Sequence, residues 1–547
     1  MMKRLVYTFL SCWVLAGAMA QVVHSDRLKE LLRVGQLAGG NGVALPSMMV
    51  NANQIPVAAL DSLMAIQKPL RWKTKVLDGG FVPLQWTFQY HEQQPYEWNG
   101  GALLPSRGYQ VLGTFGVHAK VGKRIHLQIA PEFTTAENLD YEGFSQQMGN
   151  RAWADRYRFW NTADIPQQYA SGHQTSWLPG QSFIEYRTQH FAFGISSQNL
   201  WWGPGFRNAL VMSSNAPGFV HWSVKTHQPI RTRIGNFEGQ MVGGRLEASG
   251  ILPPRINSVY NGAFVYQPKP DQDRYMTGMV LSWNPKWTPG LYVGLAKASY
   301  LYQRDLSNPL DVLPLQGFFG NKLTGTEKSG KKASLGSMFV RYVMPREKAE
   351  LYVEFGRKDR ALLPWNVVQA EPYRRAYVAG INKLFTVGKD AHLQFQAEFT
   401  QMQAPTAELI RSPDSWYTHP YVRHGYTHKG RPLGAGIGPG SNSQTLALNW
   451  VKGLKRIGFQ FERVRYNSDF YYLAFEYIGD FRRHWVDLAG TIKFDWPIGP
   501  VLISAQTGLI RSYNYQWWII QYNPNDYLIP GNEVLNFSGR MGVVWRF

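Results

Sequence analysis

Alternation of side-chain character at every second residue constrains this chain more than any other feature. In Leu535-Asn536-Phe537-Ser538-Gly539-Arg540-Met541-Gly542-Val543-Val544-Trp545-Arg546-Phe547 the odd positions are Leu, Phe, Gly, Met, Val, Trp and Phe, and the even positions are mostly small or polar. Successive side chains of a strand point to opposite faces, so this segment is a ribbon with one apolar and one wet face. It closes on an aromatic residue, an ending similar to the assembly signal of outer-membrane barrels. The pattern recurs where Ile125, Leu127, Ile129 and Phe133 alternate with His126, Gln128, Ala130 and Glu132. It recurs again along 349–355, 393–399 and 486–496. In the last of these Asp487, Thr491, Lys493 and Asp495 share the face opposite the apolar one, which predicts a polar lumen.

Soluble sandwiches and propellers alternate as well. Three further features favour a membrane cylinder: the export signal, the aromatic load and the terminal Trp545-Arg546-Phe547. Lys3 and Arg4, then apolar Leu5 to Gly17, then Ala18-Met19-Ala20 read as a secretory signal over residues 1–20. Gln21 is the expected mature N-terminus, and the single cysteine, Cys12, leaves with the signal. A thiol-free mature chain excludes a disulfide scaffold, a Cys-ligated zinc and a Cys nucleophile. Aromatics make up 14% of the chain although its mean hydropathy is −0.30, as expected where rings girdle two membrane interfaces around a polar interior. Beyond the signal no apolar run approaches the roughly 18 residues of a spanning helix.

The expected fold is therefore all-β, a transmembrane antiparallel barrel of about 18 strands over 76–547. A small periplasmic helical segment over 21–75 precedes it. There Leu28, Leu31 and Leu32 follow a Ser25-Asp26 cap signal, and 57–67 lies between Pro56 and Pro69. Long irregular stretches at about 134–180, 303–333 and 403–443 are predicted to face outward or fold into the mouth, and to carry the function.

Lys and Arg outnumber Asp and Glu by 57 to 37, a net +20, or +18 once Lys3 and Arg4 are removed. For an exported barrel in the outer membrane of a Gram-negative-type bacterium the available polyanions are lipopolysaccharide headgroups and acidic surface polysaccharides, not nucleic acid. No G-x-S-x-G elbow, phosphate-binding loop or dinucleotide fingerprint is present. His91-Glu92-Gln93-Gln94-Pro95 begins like a zincin helix but has proline where the second histidine belongs. The chain is read as no enzyme, with no catalytic residue, metal or cofactor assigned; lumen carboxylates more often form a salt-bridged wall than an acid/base pair.

Two clusters are too polar and broken to cross lipid. The first runs Ser197-Gln198-Asn199-Leu200-Trp201-Trp202-Gly203-Pro204-Gly205-Phe206-Arg207-Asn208, and the second from Trp416 to Arg431, continuing into Gly434-Ala435-Gly436-Ile437-Gly438-Pro439-Gly440-Ser441. In both stretches the chain resembles the capsule assembly Wzi family, in which Q-N-x-W-W-G-P-G and G-Y-T-H-x-G-x-x-L-G-x-x-I-G-P-x-S segments are typical. The likeness extends more loosely to Asn99-Gly100-Gly101 through Pro105, Pro131-Glu132 and the terminal strand.

The resemblance implies an outer-membrane barrel of about eighteen strands with a small periplasmic helical part. It also implies a lectin-like role in retaining surface polysaccharide. Sugar faces stack on Trp and Tyr, and hydroxyls need His, Asn and Arg partners. The candidate carbohydrate-binding residues are therefore Asn199, Trp201, Trp202, Arg207, Trp416, Tyr417, His419, Tyr421, His424, Tyr426, His428 and Arg431. For the first cluster a purely architectural role, locking a loop inside the barrel, stands level with binding; for the second, binding is favoured. Outer-membrane lipid, and a lipoprotein or secretion partner, are the other expected contacts. A porin-like or partner-docking channel is the alternative, and a hydrolase using lumen carboxylates a third.

Overall fold

A computed structural model describes residues 25–39, 71–169, 172–307, 309–314, 330–358, 375–405, 415–475, 483–523, 525–526 and 529–546. The signal at 1–20, the second helical candidate at 57–67 and the terminal Phe547 lie outside the described residues. The strands that form the ring are β1 (Leu77–His91), β2 (Gly108–Val121), β3 (Ile125–Ile129 and Glu132–Ala136), β4 (Gln174–Leu178 and Phe183–Arg187), β5 (Phe191–Ser196) and β6 (His221–Thr226 and Ile230–Thr232). They continue with β7 (Gly235–Leu246), β8 (Arg274–Pro285), β9 (Leu291–Tyr302), β10 (Ala333–Met344), β11 (Ala349–Lys358) and β12 (Arg375–Thr386). The last are β13 (His392–Gln401), β14 (Asn442–Lys452), β15 (Lys455–Arg465), β16 (Val486–Ile498), β17 (Val501–Tyr513) and β18 (Val534–Trp545). Each pairs antiparallel with its sequence neighbours, and β1 pairs with both β2 and β18, so the ring of eighteen staves closes.

The alternation is realised as expected. On β11 Leu351 and Val353 are 47% and 52% exposed while Glu350 and Glu354 are fully buried. On β16 Ile492 and Phe494 face out while Asp487 and Asp495 face in. An apolar outer belt of this kind is a burden in water, at about 25 cal/mol per Å², and is what a barrel wall needs against lipid. No described helix is long and apolar enough to cross a membrane.

One end of the barrel has short turns, among them those at 121–124 and 451–454, where Gly122 and Gly453 take φ +61° and +56°. At the other end the connections are long. Besides the three expected stretches they include 197–220, 247–273 and 466–485. Two helices, α2 (Asn150–Trp160) and α3 (Ser468–Phe475), sit within them. α1 (Ser25–Leu37) lies inside the lumen at the short-turn end. Leu37 packs on Val343 and Leu384. Arg33 Nε donates to Glu350 Oε1 at 2.8 Å, and Arg456 pairs with both Glu30 and Asp495.

Candidate functional site

The two aromatic–glycine clusters occupy the barrel interior, and the wall holds them there. Glu398, inward on β13, accepts the backbone N–H groups of Phe206 at 2.7 Å, Arg207 at 3.1 Å and Asn208 at 2.8 Å, and the hydroxyl of Tyr352 at 2.8 Å. Three successive amides converging on one carboxylate demand a backbone free of side chains nearby. A Cβ on Gly205 would meet Asn208 O at 1.9 Å, and one on Gly203, at φ +124°, would meet Glu354 Oε2 at 2.8 Å. Arg207 grips Glu462 through Nε and Nη2, both at 2.9 Å, with Trp98 4.5 Å from its guanidinium. Asn199 donates to Ala216 O and accepts from Gln181.

The second cluster packs on the first. Tyr417, a bulky residue held at φ +65°, donates its hydroxyl to Leu210 O at 2.8 Å and accepts from Ala435 N at 2.7 Å. Asn215 Nδ2 reaches Pro432 O, and Ser213 N reaches Leu433 O. Trp416, Tyr417 and Tyr426 join Trp202, Leu210, Val211 and Met212 in one buried apolar core. Among the histidines, His419 Nδ1 accepts the amides of Tyr421 and Val422. His424 Nδ1 faces the Tyr302 hydroxyl at 3.1 Å, and His428 Nδ1 accepts the amide of Glu247 at 3.1 Å. Burial, reinforced by Arg274 and other nearby cations, lowers the pKa of His424 and of His428 to about 3, so both are neutral acceptors at physiological pH. Arg431 donates to the carbonyls of Gly101 and Leu103. Among the described residues no three His, Asp or Glu side chains stand as a metal-holding group.

The structure therefore brings the two clusters together as a plug filling the long-loop half of the lumen. Trp202, Trp416, Tyr417, Tyr426 and His428 are sealed inside it. Asn199, Arg207 and Tyr421 keep partial exposure; the Tyr421 hydroxyl reaches the Asp305 carboxylate at 3.1 Å. Trp201 carries Lys29 Nζ at 3.6 Å over its ring and borders a cavity of about 220 Å³ between α1, the first cluster and the wall. That cavity is lined by residues the sequence reading did not single out, among them Gln85, Gln89, Trp98, Gln460, Gln506 and Arg540. Except for Trp98, which lies in the connection after β1, their signal was available in the polar, every-second positions of alternating strands.

The family model described as capsule assembly protein Wzi matches residues 95–514. Among solved structures the fold is similar to that of Wzi from Escherichia coli, described as an outer-membrane, carbohydrate-binding β-barrel involved in group 1 capsule assembly. The TM-score is 0.56 at 11% identity, covering 97% of this chain and 100% of that one. Acinetobacter baumannii OccAB2 aligns at TM-score 0.39 and 9% identity over 85% of this chain and 97% of its own. Pseudomonas aeruginosa OccK7 aligns at TM-score 0.39 and 10% identity over 85% and 98%. No curated protein matches by sequence.

Proposed function

This chain belongs to the capsule assembly protein Wzi family, and from that membership we propose that it is a non-catalytic, lectin-like barrel that holds polysaccharide at the outer-membrane surface. The observation that carries the reading is the plug. A long-loop half of the lumen filled by a continuous apolar core, with Trp202, Trp416, Tyr417 and Tyr426 buried in it, suits a stationary anchor and obstructs a solute path. The apolar belt and the basic charge suit contact with lipid and lipopolysaccharide. A lipoprotein or secretion partner would dock on the loops or at the short-turn mouth. In this reading the sealed rings among the twelve candidate residues support the binding surface from beneath, Arg207 braces the first cluster on Glu462 beside the α1 cavity, and Asn199 and Tyr421 are the partly open side chains a ligand would meet.

The test is twofold. Purified protein is expected to bind the producing cell's own surface polysaccharide, and deletion of the gene to release that polymer into the medium. Absence of both effects overturns the anchor reading. A large steady conductance in planar bilayers would replace it with the channel reading.

A further inference from the structure

Beyond the plug, a second aromatic core fills the space between α2, α3 and the turn at 514–518. Arg156 of α2 enters it. Its guanidinium carbon stands 4.7 Å from the ring centroid of Trp160, 5.1 Å from those of Phe470 and Trp517, and 5.8 Å from that of Phe144. Only 7% of the residue remains open. A cation buried so deeply ordinarily meets a carboxylate. Here no ion pair or hydrogen bond reaches it among the described residues, and its Nε is sealed without an acceptor. The adjacent Asp155 is engaged by Arg158 at 2.7 Å. Burial lowers the Arg156 pKa to about 9, so the group stays charged at neutral pH.

Two neighbouring donors share its condition: the indole N–H groups of Trp160 and Trp517 are also buried without acceptors. Ring faces attract a guanidinium but offer nothing to its in-plane N–H bonds. The turn that delivers Trp517 is itself strained, with Asn514, Gln516 and Trp517 at φ +47°, +54° and +61°. Strain of this kind persists only where surrounding structure imposes it, and it gathers at ligand sites. The cluster thus presents three buried donors with no acceptor.

Resting on the polysaccharide-anchor reading, we infer that Arg156, with the Trp160 and Trp517 indoles beside it, is a recognition site for the carboxylate of an acidic sugar in the bound polymer. The planar guanidinium fork matches a planar carboxylate. With 7% of the residue open, a carboxylate would reach it by its tip with the sugar ring left outside, and the strongly basic chain would draw an acidic polymer toward it.

The experiment titrates indole fluorescence of the full chain in detergent with oligogalacturonate, with its carboxyl-reduced neutral counterpart, and with inorganic phosphate. Saturable quenching is expected with oligogalacturonate and not with the neutral oligomer. It should weaken at least tenfold in Arg156→Gln and by less in Arg156→Lys, with the heat-modifiable gel migration of the folded barrel unchanged in both. Equal binding by Arg156→Gln and the parent, or no response to any anion, overturns the assignment. Quenching by phosphate alone replaces the sugar carboxylate with another oxyanion. If the cell's polymer is retained but is indifferent to Arg156→Gln, this inference fails and the anchor stands. If the anion binds at Arg156 but no polymer is retained, the anchor fails and the site stands.

Discussion

Replacing Glu398 by alanine tests whether the plug is held by the wall. The carboxylate receives three consecutive backbone amides, of Phe206, Arg207 and Asn208, plus the Tyr352 hydroxyl. In Glu398→Ala the three N–H groups lose their acceptor inside the protein. Each orphaned buried donor costs about 1–3 kcal/mol, so the loop is destabilised by about 3–9 kcal/mol before relaxation. Even about 4 kcal/mol raises the population of an open loop by roughly a thousandfold. The wall itself is indifferent, because β13 keeps its main-chain ladders to β12 and β14. Planar-bilayer recording reads the consequence directly: the parent is expected to pass little current, and Glu398→Ala to show flickering or steady conductance while still running as a folded barrel on unheated gels. A variant that folds and stays as tight as the parent would refute the idea that this carboxylate anchors the plug.

Gly205→Ala puts a Cβ against the Asn208 carbonyl at 1.9 Å, a backbone atom with no rotamer to yield; a loss of about 1–3 kcal/mol should appear as a lower thermal midpoint in detergent. Glu350→Gln leaves Arg33 and Arg341 buried without their carboxylate, a change of about 3–5 kcal/mol, so α1 should lose hydrogen-exchange protection while the strands keep theirs. His424 and His428 have folded pKa values of about 3, below the unfolded value near 6.5. They contribute no pH dependence above pH 6.5, and below it the folded state loses about 1.4 kcal/mol per unit per histidine down to about pH 3. Asp469, raised by burial to about 6, acts in the opposite sense, with stability lost as pH rises from 3.8 to 6. The two histidines outweigh it, so the urea midpoint of the loop core, followed by tryptophan fluorescence, should fall between pH 6.5 and pH 4.5; a rise would contradict these neutral histidines.

The loop architecture shows where a linear reading stops. The stretch at 134–180 reads as irregular, yet it contains α2, whose Trp153, Tyr157 and Trp160 recur at helical spacing and are buried on one side. That signal was present and was masked by the surrounding Gly, Asn and Ser. The first cluster was ambiguous for a different reason. Trp-Trp-Gly-Pro-Gly suits a sugar platform or a buried lock equally well, and the carboxylate that holds the end of this loop inside, Glu398, lies 190 residues beyond Asn208.

What the amino-acid order determined alone is the wall: period-two alternation is a property of neighbours, and any strand carrying Leu351 and Val353 between Glu350, Tyr352 and Glu354 must separate an apolar face from a wet one. What tertiary structure decided is the interior. Whether a tryptophan is a core residue or a contact, whether a histidine is an acceptor or a ligand, and whether Arg156 meets an acid depend on distances closed only when strands far apart in sequence become neighbours. Desolvation and hydrogen-bond geometry, which assign those roles, exist only once the ring has closed around them.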